Sequence, residues 1–262
     1  MKIFIITQNA PMYLAGFLDD FLGKVKKTSH DVEGISVLSP IFKKNVLQEI
    51  KDRYNYYGLI DFIKMAAHIA WNKLLSFVFQ FFPSICCYSV DNVIRKYKTM
   101  NYKAISINSN DFVNHIKKNQ IDLIISIASS EIFKNELLNA PKKGCINYHT
   151  ALLPKYRGRQ PLFWALLNGE KEIGISIHEM DEKLDNGPII VQRKIPVSSK
   201  DTLHSIYLKT INIGPTLLIE AIKKLDNECK DRIRNDSNQA TYNSFPTKED
   251  AKLFKYKGKS FF

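Results

Sequence analysis

Cysteine is scarce in this chain of 262 residues, and the four that occur, Cys86, Cys87, Cys145 and Cys229, form no C-x-x-C pair and no His-Cys spacing suited to zinc. Neither a metal centre nor a disulfide framework is expected, and a reducing cytoplasm is the simplest compartment. No G-x-G-x-x-G follows the first apolar run, which argues against a dinucleotide. A long uncharged apolar run is also missing. The greasiest stretch, residues 54–82, is interrupted by Asp61, Lys64, His68 and Lys73, so no transmembrane segment is expected where about 20 mostly apolar residues would be needed. Met1 leads straight into KIFIIT, too short for a signal-peptide core and without a small-residue cleavage site.

What is present is an ordinary globular composition, 45% apolar and 24% charged, with a formal net charge of +12. A basic balance suits nucleic acids, membranes and small anionic substrates alike, and the lysines are scattered apart from small clusters at 24–27, 117–118 and 252–259. Periodicity reads as strands alternating with helices. Strands are expected at 2–7, 31–38, 103–107, 122–128, 145–149, 173–178 and 189–196. Helices are expected at 13–22, 41–52, 90–97, after a cap at Asn110 or Asp111, at 160–168, and at 201–226 behind an Asp201 cap with a kink or break at Gly214-Pro215. That alternation predicts an α/β chain with a doubly wound, mostly parallel, Rossmann-like sheet. Residues 1–197 form the catalytic domain in this reading, and 198–262 a C-terminal helix plus β-hairpin extension packed on it. Residues 54–82, stopped by Pro83, read either as a helix pair covering the sheet or as a greasy surface for membrane contact or a homodimer.

Ligands of open parallel sheets bind at the carboxyl ends of strands, so the loop at 8–12 with Asn9 and Pro11 is a candidate site wall. The stretch 147–190 holds more. Alternation along a strand puts Asn147 and His149 on one face, with Ile146 and Tyr148 facing away. Asp185 stands in the turn LDNGP, and a helix and a strand between it and His149 supply enough chain to return to the same sheet edge. A triad is geometrically open. Between them lies the loop LLPKYRGRQP, where Arg157 and Arg159 either clamp a phosphate or stand in solvent. His68, His178 and His204 have no partner to name, and Trp164 belongs to a helix core.

Asn147-x-His149, then LLPKYRG, then MDEKLDNGPI in fixed order resembles the N10-formyltetrahydrofolate-dependent formyltransferase family, most strongly over 122–196. That family includes the sugar N-formyltransferases, methionyl-tRNA formyltransferases and glycinamide ribonucleotide formyltransferases. The resemblance implies Asn147, His149 and Asp185 as catalytic residues and N10-formyltetrahydrofolate as co-substrate. It places the folate near Ser129, Ser130, Glu131 and Ile132 and near Met180, Asp181 and Leu184. The substrate side falls to Asn9, Arg157 and Arg159. Read alone, Ser130 is a helix cap and Asp185 a turn aspartate.

The chemistry follows from the groups. An amine attacks the formyl carbon, the Asn147 amide can donate to the oxyanion, His149 can accept the amine proton, and Asp185 can orient His149 or hold a relaying water. No metal or covalent nucleophile is needed. The expected acceptor is a nucleotide-linked (dTDP or UDP) amino-deoxy sugar for surface polysaccharide such as lipopolysaccharide O-antigen, with no nucleic acid as partner. The tail segment SFPTKED at 244–250 resembles an element of the sugar N-formyltransferases, and a long helix takes up the first part of the stretch after Pro196, so no β-barrel of the kind with which methionyl-tRNA formyltransferases hold tRNA is expected there. Methionyl-tRNA formylation is the alternative, and a non-catalytic folate- or nucleotide-binding module the third reading.

Overall fold

A computed structural model describes residues 1–10, 12–38, 46–82 and 85–262. The expected helix start at Ile41, the loop residue Pro11 and the stop at Pro83 lie outside the described residues. The first strand, β1 (Lys2–Gln8), is an Ile-rich run buried on both faces, as a central parallel strand must be. It leads into α1 (Leu14–Val25) and β2 (Asp31–Leu38). Next come α2 (Val46–Phe79), α3 (Val90–Tyr97), the two-residue β3 (Met100–Asn101), α4 (Asn110–Lys118) and β4 (Leu123–Ile127). After the short α5 (Asn135–Leu138) come β5 (Cys145–His149), β6 (Arg157–Gly158), α6 (Pro161–Leu167), β7 (Glu172–Glu179) and β8 (Ile189–Pro196). The chain finishes with α7 (Leu203–Asp226), β9 (Tyr242–Asn243) and α8 (Lys248–Tyr256).

Among the described residues seven strands form one sheet in the order β3-β2-β1-β4-β5-β7-β8. All pair in parallel as far as β5, whereas β7 runs antiparallel to both β5 and β8. The doubly wound α/β expectation holds. Helices cover both faces: Phe17, Phe21 and the inner stripe of α7 pack on one side, and Phe112, Ile116 and Leu137 on the other. Because α7 supplies Ile206, Leu218 and Ile222 to the first of these layers, it belongs to the same core as the sheet. It passes Pro215 without ending, and Gly214 lets it approach closely, since a Cβ there would sit 2.6 Å from the Phe17 and Tyr148 side chains.

Several local expectations shift. No strand forms at 103–107, where Ile105 is fully exposed and no buried alternating face exists; β3 pairs instead with Gly34 and Ile35. Helix caps fall one residue from the expected positions, at Ser109, whose hydroxyl accepts from the Phe112 amide, and at Thr202, which forms a capping box with Ser205. Ser130 caps no helix, because α5 begins at Asn135. In the tail no hairpin forms; β9 pairs in parallel with β6, and α8 follows behind a Thr247 cap.

The 54–82 stretch is two helical arms meeting at Gly58, where φ is 70° and ψ is 173°. Tyr56 is inserted beside Phe163 and Phe261, and Lys255 pairs with Asp61, which fastens the joint to α6 and the tail. Beyond the joint, Ile60, Ile63, Trp71, Leu74 and Phe77 face solvent. Covering the sheet is therefore not what this arm does; the greasy-surface reading describes it.

Candidate active site

Asn147 and His149 leave the carboxyl end of β5 on one face, while Ile146 and Tyr148 turn into the α1 and α7 layer, where the Tyr148 hydroxyl donates to the Thr210 carbonyl. The register of β5 with β7 sets His178 directly across from Asn147 and Ser176 across from His149. Ser176 then pins the following loop: its hydroxyl donates to the Ala151 carbonyl at 2.6 Å and accepts from the Leu153 amide and from Gln192. That loop holds a cis bond between Leu153 and Pro154 and turns back along β6.

Asp185 reaches the same point from the turn after β7. Its backbone takes a positive φ of 48°, held by Asn235, whose side-chain amide donates to the Asp185 and Gly187 carbonyls. Gly187 is required there, because a Cβ would meet the Glu179 carbonyl oxygen at 2.0 Å. The Asp185 carboxylate is almost fully buried and accepts from the Gly158 amide at 2.8 Å and from the Asn147 side-chain amide at 3.2 Å. His149 Nδ1 lies 3.7 Å from one of its oxygens and His178 Nε2 3.5 Å from the other. Burial pushes the Asp185 carboxyl up, but His149, His178 and the Gly158 amide together outweigh it and hold the group well below the usual carboxylate range.

Burial pushes His149 below the ordinary histidine value, against the pull of Asp185. Its Nε2 sits 2.9 Å from the Tyr156 carbonyl, which can only accept, so Nε2 carries the hydrogen and Nδ1 presents a lone pair beside Asp185. At His178, Nδ1 donates to the Glu179 carbonyl, and Nε2 lies 3.3 Å from the Asn147 amide nitrogen and 3.5 Å from the Asp185 carboxylate. The Asn147 amide nitrogen thus faces His178 and Asp185, and donating to an oxyanion requires exchanging one of these bonds.

The other expected site residues divide. Ser129 and Glu131 tie their loop together, the Glu131 carboxylate accepting from Ser106 and from the Ile107 amide; Ser130 is half-buried in the same loop. The Met180 amide donates to the Cys145 carbonyl, and Asp181 accepts from the Lys183 amide and Asn186. Ile132 and Leu184 are exposed apolar side chains, the kind of surface a flat heterocycle can cover. Asn9 lies exposed at the end of β1. Arg157 corrects the phosphate-clamp expectation: it is wholly buried, and its guanidinium donates to Asn186, Tyr242 and Asn235 at 2.8 to 2.9 Å, so it is a strut between the loop, the Asp185 turn and the tail. Arg159 remains exposed, its backbone amide donating to the Asn243 carbonyl. Sequence reasoning missed His178, Asn235 and Tyr242. Alternation along β7 could have put His178 on the Ser176 face; nothing marked Asn235 or Tyr242 within a polar tail.

A buried carboxylate and two histidines beside a loop at the end of a mostly parallel sheet are groups that can exchange protons with a small molecule. A profile described as formyl transferase matches residues 2–222. The chain belongs to that family. Among curated proteins it is 39% identical over 167 residues to a methionyl-tRNA formyltransferase of Kosmotoga olearia, covering 64% of this chain and 54% of that protein. A methionyl-tRNA formyltransferase of Desulforamulus reducens is 37% identical over 154 residues, 59% of this chain and 49% of that one. The chain spans about half the length of these relatives. Among solved structures, a 4-N formyltransferase from Francisella tularensis superposes with a TM-score of 0.60 at 23% identity, covering 93% of this chain and 76% of that one. An N-formyltransferase from Helicobacter canadensis, in complex with folinic acid and dTDP-3-aminofucose, gives 0.58 at 16%, covering 93% and 71%. At those identities the likeness shows the fold.

Proposed function

We infer that this chain moves a formyl group from N10-formyltetrahydrofolate to a primary amine, with Asn147, His149 and Asp185 around the reacting carbon. The observation that carries the reading is the convergence of the three side chains, with His149 Nδ1 3.7 Å and the Asn147 amide 3.2 Å from the Asp185 carboxylate. An unprotonated Nδ1 can accept the proton the amine loses as its nitrogen bonds to the formyl carbon, the nearby carboxylate stabilises the imidazolium that results, and a proton reaches the folate N10 as its bond to that carbon breaks. The Asn147 amide can turn from His178 to the developing oxyanion, where one such donor is worth about a hundred- to a thousandfold in rate. Ile132 and Leu184 supply apolar cover for the pteridine, with Ser129 to Glu131 and Met180 to Asp181 as its polar margin.

For the acceptor we propose a nucleotide-linked amino sugar. Support comes from two observations: the tail strand β9 pairs with β6 of the loop after His149, and of the solved structures that match along 93% of this chain one is a 4-N formyltransferase and another holds dTDP-3-aminofucose. With Arg157 enclosed, Arg159 and Asn9 are the exposed side chains left for the diphosphate. Methionyl-tRNA is the second reading, and a specific observation favours it: the relatives at 37% to 39% identity are methionyl-tRNA formyltransferases, a stronger resemblance in sequence than any of the structural neighbours above. The deciding experiment offers the protein N10-formyltetrahydrofolate with a panel of dTDP- and UDP-linked amino sugars and, separately, with methionyl-tRNA, and weighs the products by mass spectrometry. Gain of a formyl group on a sugar nucleotide is the expected result. Efficient transfer to methionyl-tRNA with every sugar refused establishes the second reading, and transfer to neither overturns the assignment of both acceptors.

A further inference from the structure

The second arm of α2 carries an apolar face that no other described residue covers. Ile60 is 69% exposed, Trp71 59%, Leu74 53%, Phe77 66% and Phe81, just past the helix, 69%. Placed at about 100° per residue, the outward apolar positions of residues 59–79 fill an unbroken arc of about 140° with no polar residue inside it. The two exposed charges of the arm, Lys64 and Lys73, fall about 20° outside its opposite edges. Trp71 stands at one edge of the arc, next to Lys64 in the helical projection. Asp61, the arm's acidic residue, is turned inward and neutralised by Lys255 at 2.7 Å.

We propose that this arm lies on an anionic phospholipid surface, parallel to it, with the apolar arc in the acyl boundary and the two lysines at the headgroups. Charge decides the occupant. A second copy of the same face would bring lysine edge against lysine edge with no exposed carboxylate on the arm to answer either, whereas acidic headgroups complement both. The width of the arc agrees, since a two-helix seam needs a narrower stripe and an interfacial helix a broad one. Lysines flanking such a face extend their stems along the apolar surface and keep the ammonium in water, and an indole at the margin occupies the same level. No helix among the described residues is long and apolar enough to cross a membrane, so the arm rests on the surface. Through Tyr56 and Lys255 the arm is fastened to α6 and the tail.

The test uses the whole chain and sedimenting vesicles of phosphatidylcholine with or without phosphatidylglycerol. The protein should pellet with the anionic vesicles and not with phosphatidylcholine alone, and in a Trp164→Phe background Trp71 emission should shift to the blue. Lys64→Gln and Lys73→Gln should each lower partitioning about fivefold, and Leu74→Glu should abolish it, with thermal unfolding confirming that each variant is folded. Failure to bind anionic vesicles overturns the proposal. So does equal binding to both vesicle types, or a stable dimer in solution that Leu74→Glu separates while the wild-type protein ignores lipid.

Discussion

Around Asp185 a buried carboxylate is met by the Gly158 and Asn147 amides and two histidines, whereas the outer face of α2 carries exposed apolar side chains. The two regions obey opposite rules. A charge taken out of water is costly unless its partners stand in the right places, so the Asp185 cluster admits very few arrangements. Exposed apolar surface needs no particular geometry from the fold, and its form is set by whatever covers it. The catalytic region is thus specified from within the chain and the α2 face from outside it.

The contrast can be broken most severely at the carboxylate. Asp185→Asn keeps the shape and removes the charge, and turnover should fall by at least about a hundredfold with the fold retained, as should His149→Ala and Asn147→Ala; near-normal steady-state turnover in a folded variant would detach the cluster from the chemistry. Next is the strut. Arg157→Ala leaves Asn186, Tyr242 and Asn235 short of their donor and opens a cavity, so unfolding stability should drop by about 2 to 4 kcal/mol, read from denaturant midpoints at constant slope. Had Arg157 been a surface clamp instead, substrate KM would rise and stability would hardly move.

Acid sharpens the same point more gently. Asp185 titrates below its usual range when folded, so its contribution is complete above the unfolded carboxylate value and fades as pH falls through about 4 and lower. His149 is also lowered from 6.5, so the unfolded chain takes up that proton first and stability declines as pH drops below that value. Unfolding midpoints should hold from about pH 8 down to the ordinary histidine value, decrease below it, and decrease further below about pH 4, where Asp185→Asn should flatten the fall. The smallest effect belongs to α2: Phe77→Ser, at an exposed ring that meets the equally exposed Phe81 edge-on, should change stability in buffer by less than about 0.5 kcal/mol. A larger loss would mean that the face is covered in solution.

How far the site was legible depended on how local its causes are. Asn147 and His149 share a face because a strand alternates, and that needs nothing beyond β5. The α/β architecture was readable for a similar reason, since the apolar runs of β1 and β4 are those of strands buried on both faces. Arg157 was misread because an arginine in a Gly- and Pro-rich loop looks the same whether it meets solvent or is enclosed, and what encloses it, Asn235 and Tyr242, lies some 80 residues further along. His178 depended on register with a neighbouring strand, the edge strand expected at 103–107 had no buried face to define it, and the α2 arms carry apolar residues on both sides, so periodicity could not say which side would stay bare.

The lacing of β6 to β9, with Asn235 gripping the Asp185 turn, also imposes an order in time. A chain made from its amino end has all seven strands of the large sheet once Pro196 has emerged, yet the Asp185 turn and the catalytic loop still lack the segment that braces them. A chain released at residue 230 would hold the whole sheet with α7 packed on it, around an unbraced site. The bracing of the site therefore waits for residues 235–243, after the sheet that carries it.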